Sequence, residues 1–275
     1  MDLNTISEVV RQPSDRPGAD WREGDAWLAG GTWLFSAEQP DLRRLVDLTA
    51  LGWDPLVPSE TGLEIGATCT IRDLYAFRPP ADWIAGPLIA QSCEAFLSSF
   101  KVWNAATVGG NICLSLPAAP MITLTVALEA QYELWAPDGS VRTVDALDFV
   151  TGNNRNVLAP GEILRRIRIP ARALRKRTAH RLFTLTRLGR STVFLVGTRP
   201  PGANDLLLTV TAGTTRPVRL AFDAAADART VQQAVNAIPA DVWFADPNGT
   251  PDHRHHLTLH FAEEIRHELN AGGPA

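Results

Sequence analysis

Two glycine pairs stand out as residues able to do chemistry. The first lies in Ala29-Gly30-Gly31-Thr32-Trp33-Leu34 and the second in Ala106-Thr107-Val108-Gly109-Gly110-Asn111. Without a Cβ, glycine lets successive N–H groups converge into an anion-binding nest and lets backbone approach a phosphate closely. Thr32, Thr107 and Asn111 add neutral hydrogen-bonding groups at the rim. Two such loops, converging, would hold a pyrophosphate from both sides without a lysine. Either pair alone is an ordinary turn signal, so the informative unit is the set.

Other chemistry is poorly supplied. GxSxG, HExxH, GxxxxGK[ST] and GxGxxG are all missing, which leaves no nucleophile elbow, zinc-protease helix, P-loop or Rossmann turn. His253, His255, His256 and His260 cluster in DHRHHLTLH. No carboxylate or cysteine at a motif spacing completes a metal site, so the cluster reads as a polar helix start. Cys69, Cys93 and Cys113 are sparse and odd in number, which fits a reducing compartment and predicts a cytoplasmic protein. Three thiols cannot supply the four of a common iron–sulfur cluster.

The elements that must position these residues follow from composition and pattern. The chain has 275 residues, 45% hydrophobic and 20% charged, with 26 Lys+Arg against 30 Asp+Glu. That suits one large or two modest globular domains. A net charge of −4 offers no general field for nucleic acid. No apolar run approaches the roughly 18–20 residues that span a bilayer, and the N-terminus has no signal-peptide pattern.

Residues 27–35 read as a strand, a glycine break and a helix start; 42–48 and 63–68 read as strands, with a helix from Ile71. Residues 84–98 suit a helix opened by Gly86-Pro87. TLTVALEAQYELWAPDG passes from an apolar run into alternation and ends on a turn. ILRRIRIP (163–170) reads as a strand, and 170–180 as a break taken for a domain boundary. Strand-like segments follow, then helices over 226–238 and 252–270; the AGGPA end reads as frayed. Strands and helices without βαβ spacing point to α+β. Residues 165–190 hold ten Lys/Arg and no Asp/Glu, as either a solvated surface or a docking face for an acidic partner.

Taken together, AGGTWLF and ATVGGNI resemble the FAD-binding medium subunits of molybdenum hydroxylases, the xanthine dehydrogenase and carbon monoxide dehydrogenase group. LVDLTALG, LEIGATCTIRDL, DFVTGNNRNVLAPGEILRRIRIP, TAGTTRPVRL and DPNGTPDHRHHLTLHFAEEIRHEL match that family's later blocks in order. The resemblance implies a two-lobed FAD-binding domain of the vanillyl-alcohol-oxidase (PCMH) type over 1–172, with lobes of about 1–55 and 56–172. A smaller C-terminal α+β domain would cover 173–272. It implies that Ala29, Gly30, Gly31, Thr32, Trp33 and Leu34 wrap the FAD pyrophosphate. Ala106, Thr107, Gly109, Gly110 and Asn111 would meet it from the other lobe, while Ile163 and Leu164 touch the flavin rings. No catalytic side chain and no metal ligand are implied on this chain. A [2Fe–2S] small subunit and a molybdopterin large subunit are the implied partners, in a heterotrimer or its dimer, with electrons leaving FAD for an external acceptor.

The sequence departs from the family pattern at three places. Pro120 replaces an Asp near SPxxD, Trp33 a small or acidic residue, and Trp103 a frequent Arg. A stand-alone FAD-dependent reductase or oxidase, and a scaffold subunit that has lost flavin, therefore remain open beside the electron-relay reading.

Overall fold

The computed structural model describes residues 3–11, 18–187, 189–223 and 225–271; the expected frayed end lies outside them beyond Ala271. A parallel three-stranded sheet comes first: β1 (Glu8–Val10), β2 (Asp25–Leu28) and β3 (Arg44–Asp47), with β3 central. Leu45 and Val46 are buried in it. The Arg44 side chain is 4% exposed and bonds both Asp25 and Asp20. Removing one partner of such a buried pair costs about 3–5 kcal/mol.

Next come β4 (Leu56–Ser59), β5 (Gly62–Gly66), and five short helices: α1 (Ile71–Ala76), α2 (Pro87–Glu94), α3 (Phe100–Trp103), α4 (Val108–Leu114) and α5 (Pro120–Ala127). β6 (Gln131–Trp135) and β7 (Val141–Asp145) form a hairpin. Then follow α6 (Ala146–Phe149), the small β8 (Val150–Gly152) and β9 (Arg155–Asn156) ribbon, β10 (Ile163–Pro170) and α7 (Ala171–Leu174). These strands build an antiparallel sheet in the order β4-β5-β10-β6-β7.

Central placement explains the pattern of ILRRIRIP. Ile167 and Ile169 enter the core. On the opposite face Arg166 and Arg168 each bond Glu64 of β5 and Glu133 of β6. A register shift against β6 leaves Arg165 as an extra residue, and its guanidinium lies 4.3 Å from the Trp53 ring centre and 5.3 Å from that of Trp135.

The remainder is an antiparallel sheet, β11 (Arg177–Thr184), β12 (Ser191–Arg199), β13 (Leu206–Thr211) and β14 (Val218–Phe222), with α8 (Ala228–Asn236) and α9 (Pro251–Asn270). A Cβ at Gly197 would sit 2.3 Å from Ile265, so α9 packs directly on β12. α5 packs against β12 and β13; all eight of its residues are buried, and the Thr123 and Thr211 hydroxyls are 2.6 Å apart. The class is α+β, as the sequence implies.

Three local expectations change. The helix expected over 84–98 spans only Pro87–Glu94, with Ile84 47% exposed and 95–99 left as irregular chain. The apolar run TLTVALEA is largely α5, which buries every face and so shows no helical period. The break expected over 170–180 is α7 followed by a strand already under way at Arg177.

The basic segment, readable as solvated surface or docking face, carries ion pairs within the chain. Arg172 and Lys176 pair with Glu129, Arg175 with Asp82, and Arg181 with Glu264 and Glu268. With Arg166 and Arg168 in their ladder, most of these charges are met within the chain. No helix among the described residues is long and apolar enough to cross a membrane.

Candidate cofactor site

The first glycine loop leaves β2 and turns at Gly31, whose φ of +67° lies in the left-handed region. A tight turn follows, closed by Phe35 N–H to the Gly31 carbonyl and Ser36 N–H to that of Trp33, both 2.9 Å. Among the described residues, the N–H groups of Gly30, Gly31, Thr32, Trp33 and Leu34 donate to no protein acceptor. Five successive donors on one turn are thus left available to an outside acceptor, as an anion-binding nest requires.

The second glycine pair behaves differently. It is no loop but the first turn of α4, with Thr107 as N-cap, its hydroxyl accepting from Gly110 N–H at 3.0 Å. Val108 N–H donates to the Cys69 carbonyl, Gly109 N–H to that of Ala67 and Asn111 N–H to that of Thr107, at 2.8, 2.9 and 3.0 Å. The expected second nest is therefore filled by the protein itself. Close approach is what Gly109 supplies: a Cβ there would lie 2.6 Å from Ala67. Gly30 does likewise between the two segments, since its Cβ would lie 1.8 Å from the Ala105 carbonyl oxygen. The Asn111 amide oxygen accepts from Met121 N–H at 3.1 Å, which caps the start of α5.

These segments enclose two adjoining compartments. The inner one, about 280 Å³, is lined by Ala29, Gly30, Gly31, Leu34, Gly109, Ile163 and Leu164 among the expected residues. The second, about 250 Å³, is lined by Thr32, Ala106 and Asn111. Trp33, Thr107 and Gly110 border both. All the expected residues thus line one divided cleft.

Sequence reasoning missed Trp27, Leu48, Leu158 and Glu162 on the inner side, and Ser98, Gly189, Arg190 and Ser191 on the other. Glu162 carried a signal only in its position before Ile163. Its carboxylate accepts from Arg142 at 2.6 and 2.7 Å and from Ala159 N–H at 2.9 Å. Burial raises its pKa, but these donors outweigh burial and hold it below the usual value. Its carbonyl takes the Trp27 indole N–H at 3.2 Å and so ties the two lobes together. Cys113 also lines the inner compartment, where burial pushes its thiol up to about 12.

None of the three departures fills the cleft. Trp103 turns inward, donating to the Phe96 carbonyl at 3.0 Å and meeting Tyr75 edge-on. Pro120 occupies the first turn of α5, where a missing N–H costs nothing. Trp33 stays at the cleft wall, 43% exposed. The histidines diverge: His253 packs on Phe183, His255 faces Asn236 and His260 faces Glu264.

Residues 8–172 match the family model described as "FAD binding domain in molybdopterin dehydrogenase". The carbon monoxide dehydrogenase medium chain of Afipia carboxidovorans is 34% identical over 149 residues, 52% of this chain and 50% of that one. The xanthine dehydrogenase of Oryza sativa subsp. japonica is 32% identical over 117 residues, 40% of this chain and 8% of that protein. The chain thus spans about half or less of the length of these curated relatives. Among solved structures, carbon monoxide dehydrogenase from Hydrogenophaga pseudoflava aligns with a TM-score of 0.82 at 21% identity, covering 98% of this chain and 99% of that one. Quinoline 2-oxidoreductase from Pseudomonas putida 86 aligns with a TM-score of 0.79 at 20% identity, covering 99% of each chain. At those identities the likeness is one of fold.

Proposed function

Because this chain belongs to the family of FAD-binding domains of molybdopterin dehydrogenases, we propose that it is the flavin-carrying medium subunit of a multi-subunit molybdenum-containing hydroxylase or dehydrogenase. Its partners are an iron–sulfur small subunit and a molybdopterin large subunit, in a cytoplasmic heterotrimer or its dimer. The observation that carries the reading is the turn at Gly30–Leu34, with five unclaimed N–H groups where two compartments meet. FAD has that shape: two ring systems joined through a pyrophosphate. Hydrogen bonds to a charged acceptor contribute about 1.5–3 kcal/mol each, so a few of these donors would seat the anion without a lysine.

The bound flavin would accept electrons from a [2Fe–2S] partner and release them, singly or in pairs, to an external acceptor. The chain's own residues bind and shield. Gly30 to Leu34 hold the pyrophosphate. Trp27, Leu48, Ile163 and Leu164 keep water from one ring system, and Ala106, Ala118 and Pro120 from the other. Cys69, Cys93 and Cys113 are fewer than the four thiolates of a common cluster, which favours a cluster housed on another subunit.

The test is selective reconstitution. The purified chain should take up FAD in equimolar amount and FMN or riboflavin far less, because only FAD fills both compartments. Gly31→Val, which places a side chain against Phe35 at an unfavourable φ, should empty the site. A folded chain that takes up no FAD, or binds FMN equally well, would sink the reading.

A further inference from the structure

Trp33 borders more than the two cofactor compartments. It also lines an outer cavity of about 400 Å³, walled by Pro117, Asn153, Asn154, Phe244 and Asn248. Arg190 lines both this cavity and the second compartment, and its guanidinium carbon lies 6.0 Å from the centre of the Trp33 ring. That is within reach of a cation–π attraction worth about 0.5–1 kcal/mol at an exposed site. The nest uses only backbone N–H groups, so the work of holding an anion requires no indole at position 33. The side chain stands instead between the cofactor compartments and the outside.

We infer that Trp33, pinned by Arg190, is a specificity-determining partition between the cofactor cleft, both of whose compartments it borders, and the outer cavity. It lets small molecules reach the bound flavin and holds bulky ones off until the indole swings away from the guanidinium. The role is steric and involves no change of bonds. Arg190 acts through Trp33 and is a positioning residue. A loop that needed only its backbone would serve equally well with alanine at 33; the partition would not. The inference rests on the cleft being the FAD site.

The experiment uses the full chain loaded with FAD and measures quenching of flavin emission by acrylamide, a neutral probe indifferent to the Arg190 charge. Compared at equal FAD occupancy, Trp33→Ala should raise the quenching constant about threefold, as expected when a water-excluding wall is removed. Arg190→Met should raise it less, because the indole remains but is no longer pinned. Trp33→Phe should fall between Trp33→Ala and the unaltered chain. An unchanged constant in Trp33→Ala overturns the inference. Loss of FAD from Trp33→Ala also overturns it, by making the indole part of the cofactor's seat. If the unaltered chain itself takes up no FAD, the cofactor reading fails and the partition fails with it.

Discussion

Adjacent glycines in this protein meet different physical demands. Gly30 exists for contact, since a Cβ there would run into the Ala105 carbonyl oxygen; Gly31 exists for its left-handed φ. Gly30→Ala should therefore force the two cleft walls apart, costing about 1–3 kcal/mol as overpacking and most of the FAD content. Gly110 is the contrast, because its Cβ would meet only the Thr107 hydroxyl at 2.8 Å. Gly110→Ala should cost no more than a helix cap, about 1 kcal/mol. Denaturant unfolding and visible absorbance per chain distinguish the two outcomes. Glu162 provides a pH signature. Its folded pKa lies below the ordinary 4.5, so its contribution is fully present above that value and is lost as pH falls through the lowered one. Glu162→Gln should flatten the acid limb of the stability profile below about pH 4.5, which thermal melts at stepped pH would show. Equal acid limbs in the two proteins would refute this.

At the scale of elements, α4 shows a glycine motif whose N–H groups are taken up by the protein's own carbonyls and cap. Thr107→Ala should lower stability by about 1 kcal/mol through loss of the N-cap, seen as an earlier denaturant midpoint with unchanged slope. A retained midpoint would mean the cap contributes little. The N–H groups of Val108 and Gly109 are claimed by Cys69 and Ala67; those acceptors lie some 40 positions away, and no local pattern announces them. Legibility followed the same line elsewhere. β10 could be read because one of its faces is apolar and the other charged, yet the Glu64 and Glu133 partners of that charge could not. α5 was hidden because uniform burial erases periodicity. The cleft residues in glycine motifs were visible by type; Trp27, Glu162 and Arg190 were not, since only the fold brings them there.

The whole molecule is more continuous than its family segment suggests. Phe194, Val196 and Ala212 belong to the same core cluster as Leu63 and Met121, and α5 packs on β12 and β13. A fragment ending at 172 would expose that face, so it should bind a hydrophobic dye and unfold without a cooperative transition; cooperative melting of the fragment would show the two parts to be separable. Reversing Arg172, Arg175 and Arg177 to Glu should cost about 1–3 kcal/mol in the isolated chain, since the Asp82 pair is solvent-exposed but Glu129, only 17% exposed, would face a second carboxylate. High salt should narrow that loss, as thermal melts would report; a loss independent of salt would point instead to the Arg177 bond with the Leu269 carbonyl. The indole bond from Trp27 to the Glu162 carbonyl joins positions 135 apart, and this has a consequence for the order of synthesis. On a chain emerging from the ribosome, the glycine turn appears early and meets the segment at Ala105 next, but the inner compartment lacks a wall until the segment around 162 has left the exit tunnel. That compartment is therefore walled only once residues from Trp27 to Leu164 have all been made.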